Sequence, residues 1–140
     1  MSTQIFITLP VADLPRSLAF YKALGYSQNA QFTDDTGACI NVSEHIQIML
    51  LSHAKFRELS PKDICDTSKA LQVLHSLTCE SHDQVDDLVR KAIAAGGSTI
   101  EEPQDCGFMY HHGFVDPDGH CWGLNHMRAL TPVSNQSKLP

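Results

Sequence analysis

The order of elements repeats along this chain, and the repeat restricts the possible folds more than any single residue does. Gln4-Ile5-Phe6-Ile7-Thr8-Leu9 alternates, with Ile5, Ile7 and Leu9 facing one way and Gln4, Phe6 and Thr8 the other, as in a half-buried strand. Asp13 is placed to cap a helix that starts at Leu14. Leu14, Leu18, Phe20, Tyr21 and Leu24 form its apolar stripe, and Gly25 ends it. Short strands follow near 27–33, 37–43 and 46–52, with Asp34-Asp35-Thr36-Gly37 turning between the first two. Then the order starts again. Leu71 to Cys79 reads as a strand, and Ser81-x-x-Gln84 as a capping box. Val85, Leu88, Val89, Ala92 and Ile93 form a helix stripe that Gly96-Gly97 stops. Strands follow near 98–101, 107–115 and 119–126, and Asp116-Pro117-Asp118-Gly119 joins the last two as a type I turn.

The expected fold class is α+β, with two βαβββ modules forming a curved, mixed, mainly antiparallel sheet and the helices on its outer face. Module 1 spans about 4–52, a linker 53–70 and module 2 about 71–127, together one domain over residues 1–128. Residues 129–140 show no period and read as a C-terminal tail. In the linker, Phe56, Leu59 and Ile64 suggest a short amphipathic piece, and Ser60-Pro61 a break in it. One helix can cover only one face of each module's strands. The uncovered face must pack on a second sheet or curl around a ligand. Two modules side by side therefore make a trough.

The length of 140 residues suits one domain with a core. A net charge of −6 without runs of like charge argues against nucleic acid or an anionic membrane as partner. No apolar run approaches the ~20 residues of a membrane span. Met1-Ser2-Thr3-Gln4 lacks the basic start of a signal peptide, so the expected location is cytoplasmic. The five cysteines include no C-x-x-C pair and read as free thiols in a reducing compartment. Sheet edges left open by incomplete modules need covering, so a homodimer is expected.

Two stretches resemble a known family. "LPVADLPRSLAFYKALGY" resembles the first strand and helix of the vicinal oxygen chelate superfamily, which includes glyoxalase I, bleomycin-resistance proteins and extradiol dioxygenases. "FVDPDGHCWGL" resembles its last hairpin, and "PQDCGFMYHHGFVDPDGHCW" is similar to a bacterial lactoylglutathione-lyase-like subgroup. The resemblance covers about residues 4–127 and implies a divalent metal held by four trough residues. Carried over one by one, those positions fall on Phe6, on Met49 (or Leu51 if the register slips), on Leu74 and on Gly123. None of them supplies the histidine or carboxylate that a hard cation with open coordination positions requires. His75 is adjacent to Leu74, but alternation turns it toward the helix.

No cofactor is expected on this reading; a divalent metal held by other residues is the alternative. The candidates for that alternative are His111, His112, His120 and His126, with Glu44 or Asp105 as carboxylates. His111 and His112 are adjacent, so only one can face the trough. Cys121 becomes a nucleophile if a histidine lowers its pKa, or else only fills space, and Cys106 sits in a loop with no visible base. The expected ligand-binding set is Phe6, Thr8, Met49, Leu51, Leu74, Ser76, Cys121, Gly123 and Asn125, an apolar wall with a few polar groups. Gln47 and Thr78 belong to the same faces. Three functions remain open. The first is a metal-free protein binding an apolar or aromatic small molecule. The second is a metal-dependent lyase, isomerase or dioxygenase with displaced ligands. The third is a structural or regulatory partner protein whose trough is filled.

Overall fold

The computed structural model describes residues 3–128; the tail read over 129–140 lies outside them, as do residues 1 and 2. Module 1 comprises β1 (Ile5–Val11), α1 (Leu14–Ala23), β2 (Ser27–Asn29), β3 (Gly37–Asn41) and β4 (Ile46–Ser52). The linker contributes α2 (His53–Leu59). Module 2 comprises β5 (His75–Thr78), α3 (His82–Ala94), β6 (Gln104–Asp105), β7 (Met109–Val115) and β8 (Cys121–Met127). Each module is a four-stranded sheet, ordered β1-β4-β3-β2 and β5-β8-β7-β6. The first strand runs parallel to the last, and the other pairs are antiparallel. This is the expected α+β pair of βαβββ modules. No helix among the described residues is long and apolar enough to cross a membrane.

The caps form where the sequence places them. Asp13 accepts from the Arg16 N–H at 3.1 Å and Ser81 from the Gln84 N–H at 3.0 Å. The Gln84 side chain reaches one residue past the capping-box position and accepts from the Glu80 N–H. Several elements are shorter than periodicity suggests. The strand expected from Leu71 begins only at His75, because residues 71–74 have no ladder partner. The strand expected near 98–101 is one bridge, Ser98 to Val115. The strand expected over 27–33 ends at Asn29, whose side chain caps a 3-10 turn over Ala30–Phe32. Ile93, assigned to the buried stripe of α3, is half exposed; Val85, Leu88, Val89 and Ala92 carry that contact.

One core joins the modules: Leu9, Val11, Phe20, Tyr21, Ile40, Ile48 and Leu50 pack with Val85, Val89, Phe114, Trp122 and Leu124. The Asp116–Gly119 turn clasps it. Asp116 is buried and accepts from the Tyr21 hydroxyl at 2.6 Å, which itself accepts from the Trp122 indole N–H at 3.0 Å. Asp118 accepts from the Ala12 N–H at 2.9 Å and the Ser17 hydroxyl at 2.7 Å, and pairs with Arg16 at 3.2 Å. His120 Nε2 lies 2.9 Å from the Pro10 carbonyl. Read from sequence this segment is only a turn, and Tyr21 only a core residue; in the fold they are the polar tie between modules.

Candidate functional site

The strand pairing sets the uncovered faces. Thr8 lies opposite Met49 and Pro10 opposite Leu51; Ser76 lies opposite Gly123 and Thr78 opposite Asn125. β7 adds His111 beside Asn125, Gly113 beside Gly123 and Val115 beside Cys121. Phe6 and Leu74 lie equally far before the two helix caps, Asp13 and Ser81, as do Thr8 and Ser76. Through Thr8 and Ser76, Met49 is the internal counterpart of Gly123. The four positions that resemblance assigns to a metal are thus Phe6, Met49, Leu74 and Gly123. That donor set does not fit a divalent ion, since it contains neither imidazole nor carboxylate.

Among the described residues the two uncovered faces do not close on each other. Phe6 is 46% exposed and Leu74 72%. On module 1 a cavity of about 490 Å³ is lined by Thr8, Phe32, Met49, Leu51 and Lys55. On module 2 a smaller one, of about 250 Å³, is lined by Leu74, Ser76, Ile100, Glu101, His111, Cys121 and Gly123. Gly123 makes this floor: a Cβ there would come within 3.1 Å of Ser76 Oγ and 3.3 Å of His111 Cε1.

The polar wall of the second cavity is a chain of three side chains. His111 Nδ1 lies 2.6 Å from Asn125 Oδ1, and its Nε2 lies 3.1 Å from Glu101 Oε1. A ring nitrogen facing each group fixes the imidazole plane. Glu101 was not among the residues expected here. It lies in an irregular segment without period, and its only sequence signal is a carboxylate next to Ile100.

The other histidines do not converge. His112 is buried and bonds the Glu101 carbonyl at 3.0 Å. His126 Nδ1 meets the Cys79 carbonyl at 3.1 Å. Glu44 pairs with His45, and Asp105 with Arg128. Among the described residues no group of three or more histidine, cysteine or acidic side chains is placed to hold a metal. Burial, and then the charge of Asp116, pushes the Cys121 thiol up, so Cys121 is held as a thiol and not as a nucleophilic thiolate. Cys106 is exposed in its loop.

Residues 4–124 match the family model described as the Glyoxalase/Bleomycin resistance protein/Dioxygenase superfamily. Among solved structures, hypothetical protein SA1046 from S. aureus aligns at 29% identity and TM-score 0.77, covering 90% of this chain and 95% of that one. A glyoxalase/bleomycin resistance protein/dioxygenase family enzyme from Burkholderia phytofirmans PsJN aligns at 18% identity and TM-score 0.74, covering 90% and 99%. A glyoxalase-related enzyme from Fulvimarina pelagi aligns at 19% identity and TM-score 0.75, covering 90% and 88%. The last two likenesses are of fold alone. No curated protein matches the chain.

Proposed function

Because this chain belongs to the glyoxalase/bleomycin resistance/dioxygenase superfamily, we propose that it uses the family's trough to bind an apolar or aromatic small molecule without the family's metal. The observation that carries this reading is Gly123. Where the family resemblance implies a glutamate, a glycine opens a floor between Ser76 and His111. Leu74 and Ile100 supply apolar rims, and His111 with Glu101 and Asn125 supplies one polar wall. A mostly apolar cavity with a few convergent polar groups suits a small organic ligand. The stretch from Pro103 to Trp122 resembles the lactoylglutathione-lyase-like subgroup, without that chemistry's metal positions.

The working unit is a homodimer in which the uncovered face of module 1 in one copy closes over that of module 2 in the other. The support is the exposure of Phe6, Phe32, Leu74 and Ile100 on these faces among the described residues. Lys55 on one face and Glu101 on the other give opposite charges to that closure.

Elemental analysis of tag-free protein, combined with thermal shift against a panel of aromatic compounds, tests the reading. The expected result is no stoichiometric metal, and a rise in melting temperature with at least one aromatic compound that Gly123→Leu abolishes. A ligand that binds only the native state must raise stability. Hemithioacetal turnover that depends on added nickel, zinc or manganese overturns it in favour of an enzyme with displaced ligands. No shift with any compound favours a partner protein with a filled trough.

A further inference from the structure

We propose that the cavity beneath the linker is a second ligand site, at the edge of the trough, and that it takes a small aromatic molecule carrying a neutral hydroxyl. β1 and β5 are both edge strands, each paired on one side only. Residues 60–74 run over the gap between them and enclose about 610 Å³ with β1, β5 and α2. That volume is within the roughly 300–1,000 Å³ of small-molecule pockets, and it exceeds the 250 Å³ on the uncovered face of module 2.

This cavity runs along the free edge of β1, which Ile7, Thr8, Leu9 and Pro10 all line. Its walls include Ile7 and Leu9, which pack in the core, and His75. His75 pairs with Trp122 in the ladder, so it shares that residue's face, and the two rings lie 4.5 Å apart at 31°. Ser76 and Gly123, one step along each strand, face the other way. The linker cavity therefore lies at the free edges of β1 and β5, where it shares Thr8 with the module 1 cavity and His75 with the module 2 cavity; Phe56, Leu71 and Val73 line it alone.

The lining specifies the ligand. Leu71 and Val73 line the roof yet remain 40% and 50% exposed, so they have apolar surface for a planar body to cover. Phe56 and His75, whose ring rests against Trp122, supply ring faces. His111, His112, His120 and His126 all bond protein groups through a ring nitrogen; among the described residues His75 bonds none. Burial, and then the nearby His120, lower the pKa of His75 and keep it neutral. A neutral imidazole carries one donor and one acceptor, which a hydroxyl complements. Lys62 and Asp63 also line the space. Asp63 disfavours a carboxylate ligand, while Lys62 favours the oxygen of a phenol.

The test uses 2-naphthol as probe, followed by calorimetry and by the NMR signal of His75 Cε1–H, on the full chain. The expected result is saturable binding that shifts the His75 signal. Val73→Trp, which fills the cavity from an exposed position, should weaken binding at least tenfold, and His75→Phe at least threefold. Ile100→Trp, on the trough side, should leave it within twofold. If Val73→Trp lowers the melting temperature, Leu71→Trp replaces it. Absence of binding at millimolar 2-naphthol overturns the proposal. So does binding that Ile100→Trp abolishes and Val73→Trp spares; that outcome places the probe in the trough and leaves the proposed function standing.

Discussion

At the scale of single residues, the polar groups buried between the modules matter most. Tyr21 is fully buried, and burial followed by the Asp116 charge raises its pKa well above 10.0. Its hydroxyl therefore stays protonated and donates to Asp116. Tyr21→Phe keeps the ring but leaves the Asp116 carboxyl without that donor and the Trp122 N–H without its acceptor. The expected loss is about 1–3 kcal/mol, read as a lower denaturant midpoint at unchanged slope. His75 gives a second prediction. Its folded pKa lies below its ordinary value of about 6.5, because burial, and next His120, disfavour the imidazolium. The folded state thus binds fewer protons than the unfolded one as pH falls below that value. Stability from this group is complete above pH ~6.5, declines as pH falls toward the folded pKa, and levels off beneath it. An NMR titration should find His75 below the ordinary histidine value of about 6.5, and His75→Phe should flatten this part of the stability profile. A His75 midpoint at or above about 6.5 contradicts the argument.

At the scale of elements, two facing glycines make different contributions to β7 and β8. A Cβ at Gly113 would come within 2.6 Å of the Trp122 carbonyl, which is backbone and has no room to move. A Cβ at Gly123 meets first the side chains of Ser76 and His111, at 3.1 and 3.3 Å, and the His75 carbonyl only at an ordinary 3.5 Å. Overpacking a fitted site costs about 1–3 kcal/mol. Gly113→Ala should therefore destabilise by at least that much, whereas Gly123→Ala should be milder and should act mainly on ligand binding. Paired chemical denaturation curves check the order of the two. The linker shows a similar division. Ser52 caps α2 by accepting from the Lys55 N–H at 3.2 Å, and Pro61 falls just past its end, so the helix is locally determined. The path of residues 60–74 is not; Thr67 donates to the Asp118 carbonyl across the fold and pins it there.

At the scale of the whole molecule, the proposed homodimer closes the two open faces with a second copy. Light scattering at micromolar concentration should give twice the chain mass. Phe6→Asp or Leu74→Asp should shift it toward the monomer without unfolding the core, since both side chains are exposed within one chain. A monomer mass for the unsubstituted protein rejects the closure. Loss of circular dichroism in either variant would mean the core depends on those side chains and rejects it as well.

The module repeat, both helix caps and the strand-to-strand turns were legible in the amino-acid order, because each depends on residues within a few positions of one another. Alternation along β1 and β8 also put Phe6, Thr8, Cys121, Gly123 and Asn125 on one face, and the pleat keeps them there. Alternation does not set where pairing stops, so the strand expected from Leu71 starts only at His75. Tertiary structure alone decided which distant groups meet. Glu101 reaches His111 from an unpaired segment, Asp118 gathers Ala12, Arg16 and Ser17 from the other module, and the linker encloses a cavity over His75. These contacts join segments far apart in the chain, and no local period or turn preference encodes them; they follow from how two sheets and their helices share one core.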